Sequence, residues 1–231
     1  CSPALLALYG ARRALVRMKV ELLRAGQAGA DAAAARERAA TMLRTARRLA
    51  WQTHGPRVFV ICGLSGSGKS ALAAELSDVS GIPVWSSDLV RKRLLGIAPT
   101  GRAGDAGYTP EVTERVYRDL ADAAATRLAA GLPAIVDATF LRRHDRAVLL
   151  ERAGGRVVFV ECDAPEAVVD RRVAERARDP EAVSDAGAAV LARQRAVRES
   201  PDELHPGQHV VVPTDQPLSD CVAMLEVELA E

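Results

Sequence analysis

Residues 58–70 read VFVICGLSGSGKS, and the reading of this stretch decides the fold. Five apolar residues without a polar interruption are what a strand buried on both faces requires. The glycines and serines that follow break the run, and Lys69 and Ser70 then open a helical pattern, KSALAAEL. Gly63, Gly68, Lys69 and Ser70 satisfy GxxxxGK[ST] at a junction of strand and helix. Glycines there let successive backbone N–H groups converge on one point, and the helix N-terminus adds partial positive charge. The spacing therefore predicts a phosphate cradle formed by Gly63, Ser65, Gly66, Ser67, Gly68, Lys69, Ser70 and Ala71. Lys69 is expected to reach the β- and γ-phosphates of ATP, and Ser70 to place its hydroxyl on Mg²⁺. The alternative is a plain glycine turn joining strand to helix. Against it, the chain has only three lysines, Lys19, Lys69 and Lys92, and otherwise uses arginine.

Outward from the turn the texture repeats. Short β-branched runs at 57–61, 83–86, 134–138, 156–161 and 209–213 alternate with helical patterns at 69–79, 88–95, 110–130, 143–152, 165–178, 186–198 and 217–230. Strands apolar at nearly every position, separated by helices, predict an α/β fold of three layers: a mainly parallel five-stranded sheet covered on both faces, the P-loop NTPase arrangement of kinases. The first fifty residues differ. They are rich in Ala, Leu and Arg, with Leu15, Met18 and Leu22, then Met42, Leu43 and Leu49, at helical spacing and a break near residues 25–31. Two helices are expected there, ended by the Gly-Pro of THGP. Residues 1–54 form a helical segment and 55–231 the P-loop domain, with a lid around 165–200.

Composition narrows the class. The chain has 231 residues, 48% of them hydrophobic, enough for a sizeable core. No apolar run approaches the ~20 residues that span a bilayer. The net charge of +1 conceals an asymmetry: residues 1–54 carry ten basic against three acidic residues, the remainder 21 against 27. Arginines in the first segment could neutralise nucleic-acid phosphates. Aromatic residues are only 3% of the chain, and none interleaves with those arginines to stack bases, so docking to another domain is the better expectation. Cys1, Cys62, Cys162 and Cys221 lie far apart, without metal-ligand or disulfide-framework spacing. The chain starts at Cys1 without a basic, signal-like leader, which suggests a trimmed fragment in a reduced, cytoplasmic setting.

Residues after each strand carry the candidate chemistry. SSDLVRKRL places Asp88 just beyond the second strand and Arg91 one helical turn later. A carboxylate there accepts the proton of an attacking hydroxyl, and the arginine holds a phosphate or polarises the acceptor. Ser86, Ser87 or Asp88 capping the next helix is the structural alternative, while Lys92 and Arg93 are expected in solvent. Asp137 ends the third strand, where an aspartate holds the Mg²⁺ hydration shell, with Thr139 near enough to assist. Ser70 and Asp137 are thus the expected metal ligands. Arg142, Arg143 and Arg146 read as a basic helix face and His144 as a surface residue. Arg172 and Arg176, at i and i+4, are a like-charge pair that an anion between them would relieve; Glu175 and Asp179 are the alternative neutralisers. The glycine-rich stretch 96–117 carries Arg102, Tyr108 and Tyr117 and reads as the acceptor-recognition segment.

Together GLSGSGKS, SSDLVRKRL, IVDATFLRR and DAPEAVVDRRVAERARD, in this order, resemble the P-loop kinase group that includes polynucleotide 5′-kinase domains, zeta-toxin-like kinases and gluconate-kinase-like enzymes. The resemblance covers residues 57 to about 215. It implies Asp88 as general base, Arg91 as a substrate or phosphate contact, Asp137 in the substrate and metal site, and Arg172 and Arg176 as lid arginines closing over ATP. More narrowly, the chain resembles the ATP-binding half of bifunctional aminoglycoside phosphotransferase/ATP-binding proteins. YGARRALVRMKVELLRAG is similar to the last helices of their preceding domain, which implies that residues 1–50 are a remnant of it. No aminoglycoside activity carries over, because the kinase core of such a domain is lacking. The expected function is ATP- and Mg²⁺-dependent phosphoryl transfer to a hydroxyl of a small molecule or a nucleic-acid 5′ end. The rival is an ATP-binding regulatory module that controls an attached domain.

Overall fold

A computed structural model describes residues 2–27, 31–178 and 187–229. The chain divides into two compact units, Cys1–Gly55 with Leu76–Ile82, and Pro56–Glu75 with Pro83–Glu231. Among the described residues no helix is long and apolar enough to cross a membrane.

The first unit is built on helices α1 (Pro3–Ala25) and α2 (Ala32–Gln52). Pro3 stands in the first turn of α1, where its missing N–H costs nothing, and the Asp31 carboxylate accepts from the Ala34 N–H at 3.0 Å to cap α2. The seam between the two helices is alanine. Ala7, Ala11 and Ala14 on α1 and Ala35, Ala39 and Ala46 on α2 are buried, whereas Leu15, Leu22 and Leu43 are exposed. A Cβ added at Gly10 would lie 3.0 Å from Leu49 Cδ1, which shows how closely the helices approach. Glu21 joins them at the surface, accepting from Arg24 and Arg38 at 2.8 Å each. The break near 25–31 falls partly outside the described residues.

The second unit contains a five-stranded parallel sheet in the order β2-β3-β1-β4-β5, with β1 Val58–Cys62, β2 Val84–Ser86, β3 Ala134–Asp137, β4 Val157–Asp163 and β5 His209–Pro213. This is the expected three-layer α/β architecture. All five residues of β1 and all four of β3 are buried, as continuous apolar runs at the centre of a covered sheet demand. Helices α3 (Lys69–Ser80), α4 (Ser87–Leu94), α5 (Pro110–Ala129), α6 (Arg143–Ala153), α7 (Glu166–Arg176), α8 (Ala188–Val197) and α9 (Leu218–Glu228) follow the strands. The α5 start is written in TPEV: Thr109 Oγ1 accepts from the Val112 N–H at 3.3 Å, and Pro110 takes the first helical position.

The core joins β1, β3 and β4 to α5 and α6, with Val58, Val60, Val116, Leu120, Leu149 and Phe159 among its members. Phe140 lies edge-on to both Tyr117 and Phe159, at 4.9 and 5.7 Å between ring centroids. Two basic residues are also inside. Lys92, expected in solvent, is only 2% exposed and donates to the Pro99 carbonyl at 2.8 Å, because its side of α4 faces the 95–100 turn. Arg93 is exposed as expected. Arg146, 3% exposed, leaves the expected basic face to hold residues 199–203: it donates to the carbonyls of Phe140 and Ser200 and pairs with Glu203. That hydrogen bond holds the Glu203 carboxyl below its ordinary range. Arg142 and Arg143 do lie at the surface, paired with Asp145 and Glu203, and His144 is exposed.

Candidate functional site

The parallel arrangement brings Gly63, Ser86 and Asp137 to one edge of the sheet, the carboxyl ends of β1, β2 and β3. The loop 63–68 curls there through left-handed glycines, Gly63, Gly66 and Gly68, at φ of 123°, 83° and 98°. Gly66 has a second reason to be glycine. A Cβ on it would lie 2.8 Å from Val173 Cγ2 and 2.9 Å from the Val169 carbonyl, so α7 rests directly on the loop.

Behind the loop, Thr214 Oγ1 donates toward the carbonyls of Ser67 and Asp163, tying the loop to the ends of β4 and β5. Ser65 N–H donates to Gln194 Oε1 of α8 at 2.8 Å. Lys69 Nζ donates to the Leu64 carbonyl at 2.8 Å. Burial pulls the Lys69 ammonium below its ordinary value, against the opposing charge of Asp137. Ser70 Oγ donates to Asp137 Oδ2 at 2.8 Å, and burial raises the Asp137 carboxyl above its ordinary value, with Lys69 as the largest opposing influence.

A cavity of about 150 Å³ opens between the loop, α4, α5 and α8. Ser65, Gly66, Gly68, Lys69, Ser70, Asp88, Arg91, Asp137 and Arg176 line it, together with Tyr108, Tyr117 and Thr139. Asp88 is the second residue of α4. Ser86 stands at the N-cap without a side-chain capping bond, so capping does not account for the polar residues of SSD. Arg91 is 6% exposed, stacks 4.4 Å from the Tyr108 ring centroid and donates through Nη1 to the Gly107 carbonyl, while its buried Nε has no partner among the described residues. A guanidinium in the wall of a polar cavity is suited to a ligand oxygen.

Arg172 Nη2 donates to the Thr214 carbonyl at 2.8 Å, and its buried Nη1, unpartnered among the described residues, would stand 3.5 Å from a Cβ at Gly68. Arg172 lines a second, wider cavity of about 830 Å³ along the loop, with Ala71 and Thr214. Arg176 lines both cavities. Glu175 stands 3.9 Å from Arg171 and lines the wider cavity beside Arg172 and Arg176, and Asp179 lies outside the described residues, as do 179–186 of the expected lid. Of the acceptor segment, Tyr108 and Tyr117 reach the first cavity, whereas Arg102 is exposed and does not line it.

The exit of β3 is set by an unusual backbone. Phe140 adopts φ +45°, which a bulky residue holds only where its surroundings insist. Tyr117 supplies the insistence: its hydroxyl is 2.8 Å from Thr139 Oγ1 and accepts from the Phe140 N–H at 3.2 Å. Burial pushes the phenol up to about 12, so it stays neutral there. Gln194, Thr214 and the Tyr117–Thr139 pair have no motif of their own, and only their distant partners mark them.

The donor set fits a polyphosphate: the loop stands at the N-terminus of α3, and Lys69, Arg91 and Arg176 line the same cavity. The Ser70 hydroxyl beside the Asp137 carboxylate is an oxygen pair that suits a hard divalent cation.

Known proteins give the same architecture. An uncharacterized protein of Mycobacterium tuberculosis is 33% identical over 195 residues, which is 80% of this chain and 38% of that protein. The chain spans well under half the length of the curated relatives it matches. Among solved structures, a sugar kinase from Janibacter is 26% identical at a TM-score of 0.58, covering 76% of this chain and 95% of that one. A gluconokinase from Sinorhizobium meliloti is 25% identical at a TM-score of 0.56, with 76% and 91% covered. Residues 58–201 match a family described as the AAA domain, and with the sheet order and phosphate loop above, the chain belongs to that family in its kinase-like P-loop form.

Proposed function

We propose that the protein is an ATP-dependent kinase that transfers the γ-phosphoryl group to a hydroxyl of a small molecule. One observation carries the reading: a single small cavity is lined by the loop lysine, a carboxylate at the start of α4, a carboxylate at the end of β3 and two arginines, Arg91 and Arg176. Phosphoryl transfer needs positioning and charge neutralisation more than covalent chemistry, and that set supplies both. The loop amides and Lys69 hold the phosphates, Lys69 leaving the Leu64 carbonyl to do so. Ser70 and Asp137 hold Mg²⁺, which when bound draws charge from the phosphate oxygens. Asp88 accepts the proton of the acceptor hydroxyl, and Arg91, in the same cavity wall, orients the acceptor. Arg172 and Arg176, in a lid around residues 165–200, close over the nucleotide. The cavity volume favours a small acceptor over a nucleic-acid 5′ end. The kinases of sugar and gluconate among the structural relatives make a polyol the first acceptor to try.

A second reading rests on the short span of the chain against its relatives: an ATP-binding module that regulates an attached domain, of which a phosphotransferase-like domain preceding residue 50 is one form. Transfer of label from γ-³²P-ATP across pools of polyols, antibiotics and 5′-hydroxyl oligonucleotides separates the readings. A labelled product lost in Asp88→Asn supports the kinase. Tight ATP binding with no labelled product in any pool overturns it in favour of the module.

A further inference from the structure

One peptide group in the phosphate loop is held from both sides. The Leu64 carbonyl accepts from Lys69 Nζ at 2.8 Å and from the Ser67 N–H at 3.1 Å. The N–H of the same peptide, at Ser65, donates to Gln194 Oε1 at 2.8 Å. A trans peptide points its carbonyl and N–H in opposite directions, so Lys69 and Gln194 grip it from opposite sides. Hydrogen bonds in such a chain polarise one another: an acceptor on the N–H makes the carbonyl oxygen a better acceptor for the ammonium.

Gln194 lies 129 residues from Ser65 in sequence, on α8. Since the peptide nitrogen is the donor, the contact requires the amide oxygen of Gln194, an arrangement that leucine or methionine cannot reproduce. Ser65 is 6% exposed and Gln194 half-buried, and both line the first cavity beside Lys69.

We propose that Gln194 is a positioning residue that, through the Leu64–Ser65 peptide, sets where the Lys69 ammonium rests and so couples α8 to the lysine of the phosphate loop. With Gln194 in place the carbonyl holds Lys69 within the loop. Without that acceptor the carbonyl weakens, and Lys69 is freed toward an anion in the cavity. The inference goes beyond the kinase reading and needs neither nucleotide nor acceptor.

The three lysines make the test internal. In the nucleotide-free protein, an amine-acylating reagent is added at mildly alkaline pH and each lysine is followed by peptide mass spectrometry. Lys19 is exposed and reports the reagent; Lys92 is buried on the Pro99 carbonyl and reports general loosening. In Gln194→Leu and Gln194→Met, Lys69 is expected to label roughly threefold faster relative to Lys19, with Lys92 unchanged. Gln194→Glu keeps an acceptor and adds charge, so Lys69 should label at or below the wild-type rate. Wild-type Lys69 labelling in both apolar variants overturns the coupling. So does equal acceleration in Gln194→Glu, or acceleration of Lys69 and Lys92 together in both apolar variants, since each marks generic loosening.

Discussion

At the scale of single residues, Asp88 and Tyr117 do different work on one cavity. Asp88 stands in the first turn of α4 and lines the cavity, and the proposed reaction gives it the acceptor's proton. Asp88→Asn should lower the rate of labelled transfer by about 10²- to 10⁴-fold, with nucleotide affinity by titration within about threefold of wild type. Tyr117 is architectural: its hydroxyl braces Thr139 and the strained Phe140. Tyr117→Phe strands a buried N–H, so urea unfolding should show a loss of about 1–2 kcal/mol. The place of Asp88, just beyond the second strand, was legible because a short apolar run ends in SSD before a helical pattern. The brace was not, because Tyr117 and Thr139 belong to different elements and meet only when α5 packs on β3.

At the scale of elements, the phosphate loop depends on what rests upon it. Gly66 separates the loop from α7 by less than a methyl group would need. Gly66→Ala should cost about 2–3 kcal/mol by thermal unfolding and weaken nucleotide binding, since both the left-handed backbone and the contact with Val169 resist a Cβ. Arg146 plays the corresponding part for the segment after α8. Removing it leaves the carbonyls of Phe140, Glu199 and Ser200 without this donor and Glu203 with Arg143 alone, and Arg146→Met should lose about 3 kcal/mol in denaturant titration. The five strands and the helices between them followed from texture alone. The alanine seam of α1 and α2 did not, because periodicity identifies an apolar stripe without saying which stripe a neighbour covers.

At the scale of the whole molecule, paired carboxylates set the response to acid. The hydrogen bond with His209, aided by Arg198, holds the Glu161 carboxyl below its ordinary value of 4.5, and Arg146 does the same for Glu203. A depressed carboxyl contributes stability above its ordinary value and loses it as pH falls through the folded value. Asp137 has the opposite sign: burial raises it above 3.8, so its contribution is present below that value and fades as pH rises through the folded one. Glu161→Gln should therefore be less stable than wild type by about 1–2 kcal/mol near pH 6, and the gap should narrow as pH falls below 4.5 through the folded value, as followed by chemical denaturation.

The sequence by itself determined the strand–loop–helix of the phosphate cradle, the parallel α/β class and the order of charged residues along the strand ends. These are local patterns, and local patterns follow from period, glycine placement and helix termini. Only the tertiary structure decided that Ser70 meets Asp137, that Arg91 and Arg172 each keep a buried nitrogen unpartnered among the described residues, and that Gln194 grips the peptide next to Lys69. Those contacts join residues tens to more than a hundred positions apart, and their partners are chosen by packing, which no spacing along the chain encodes.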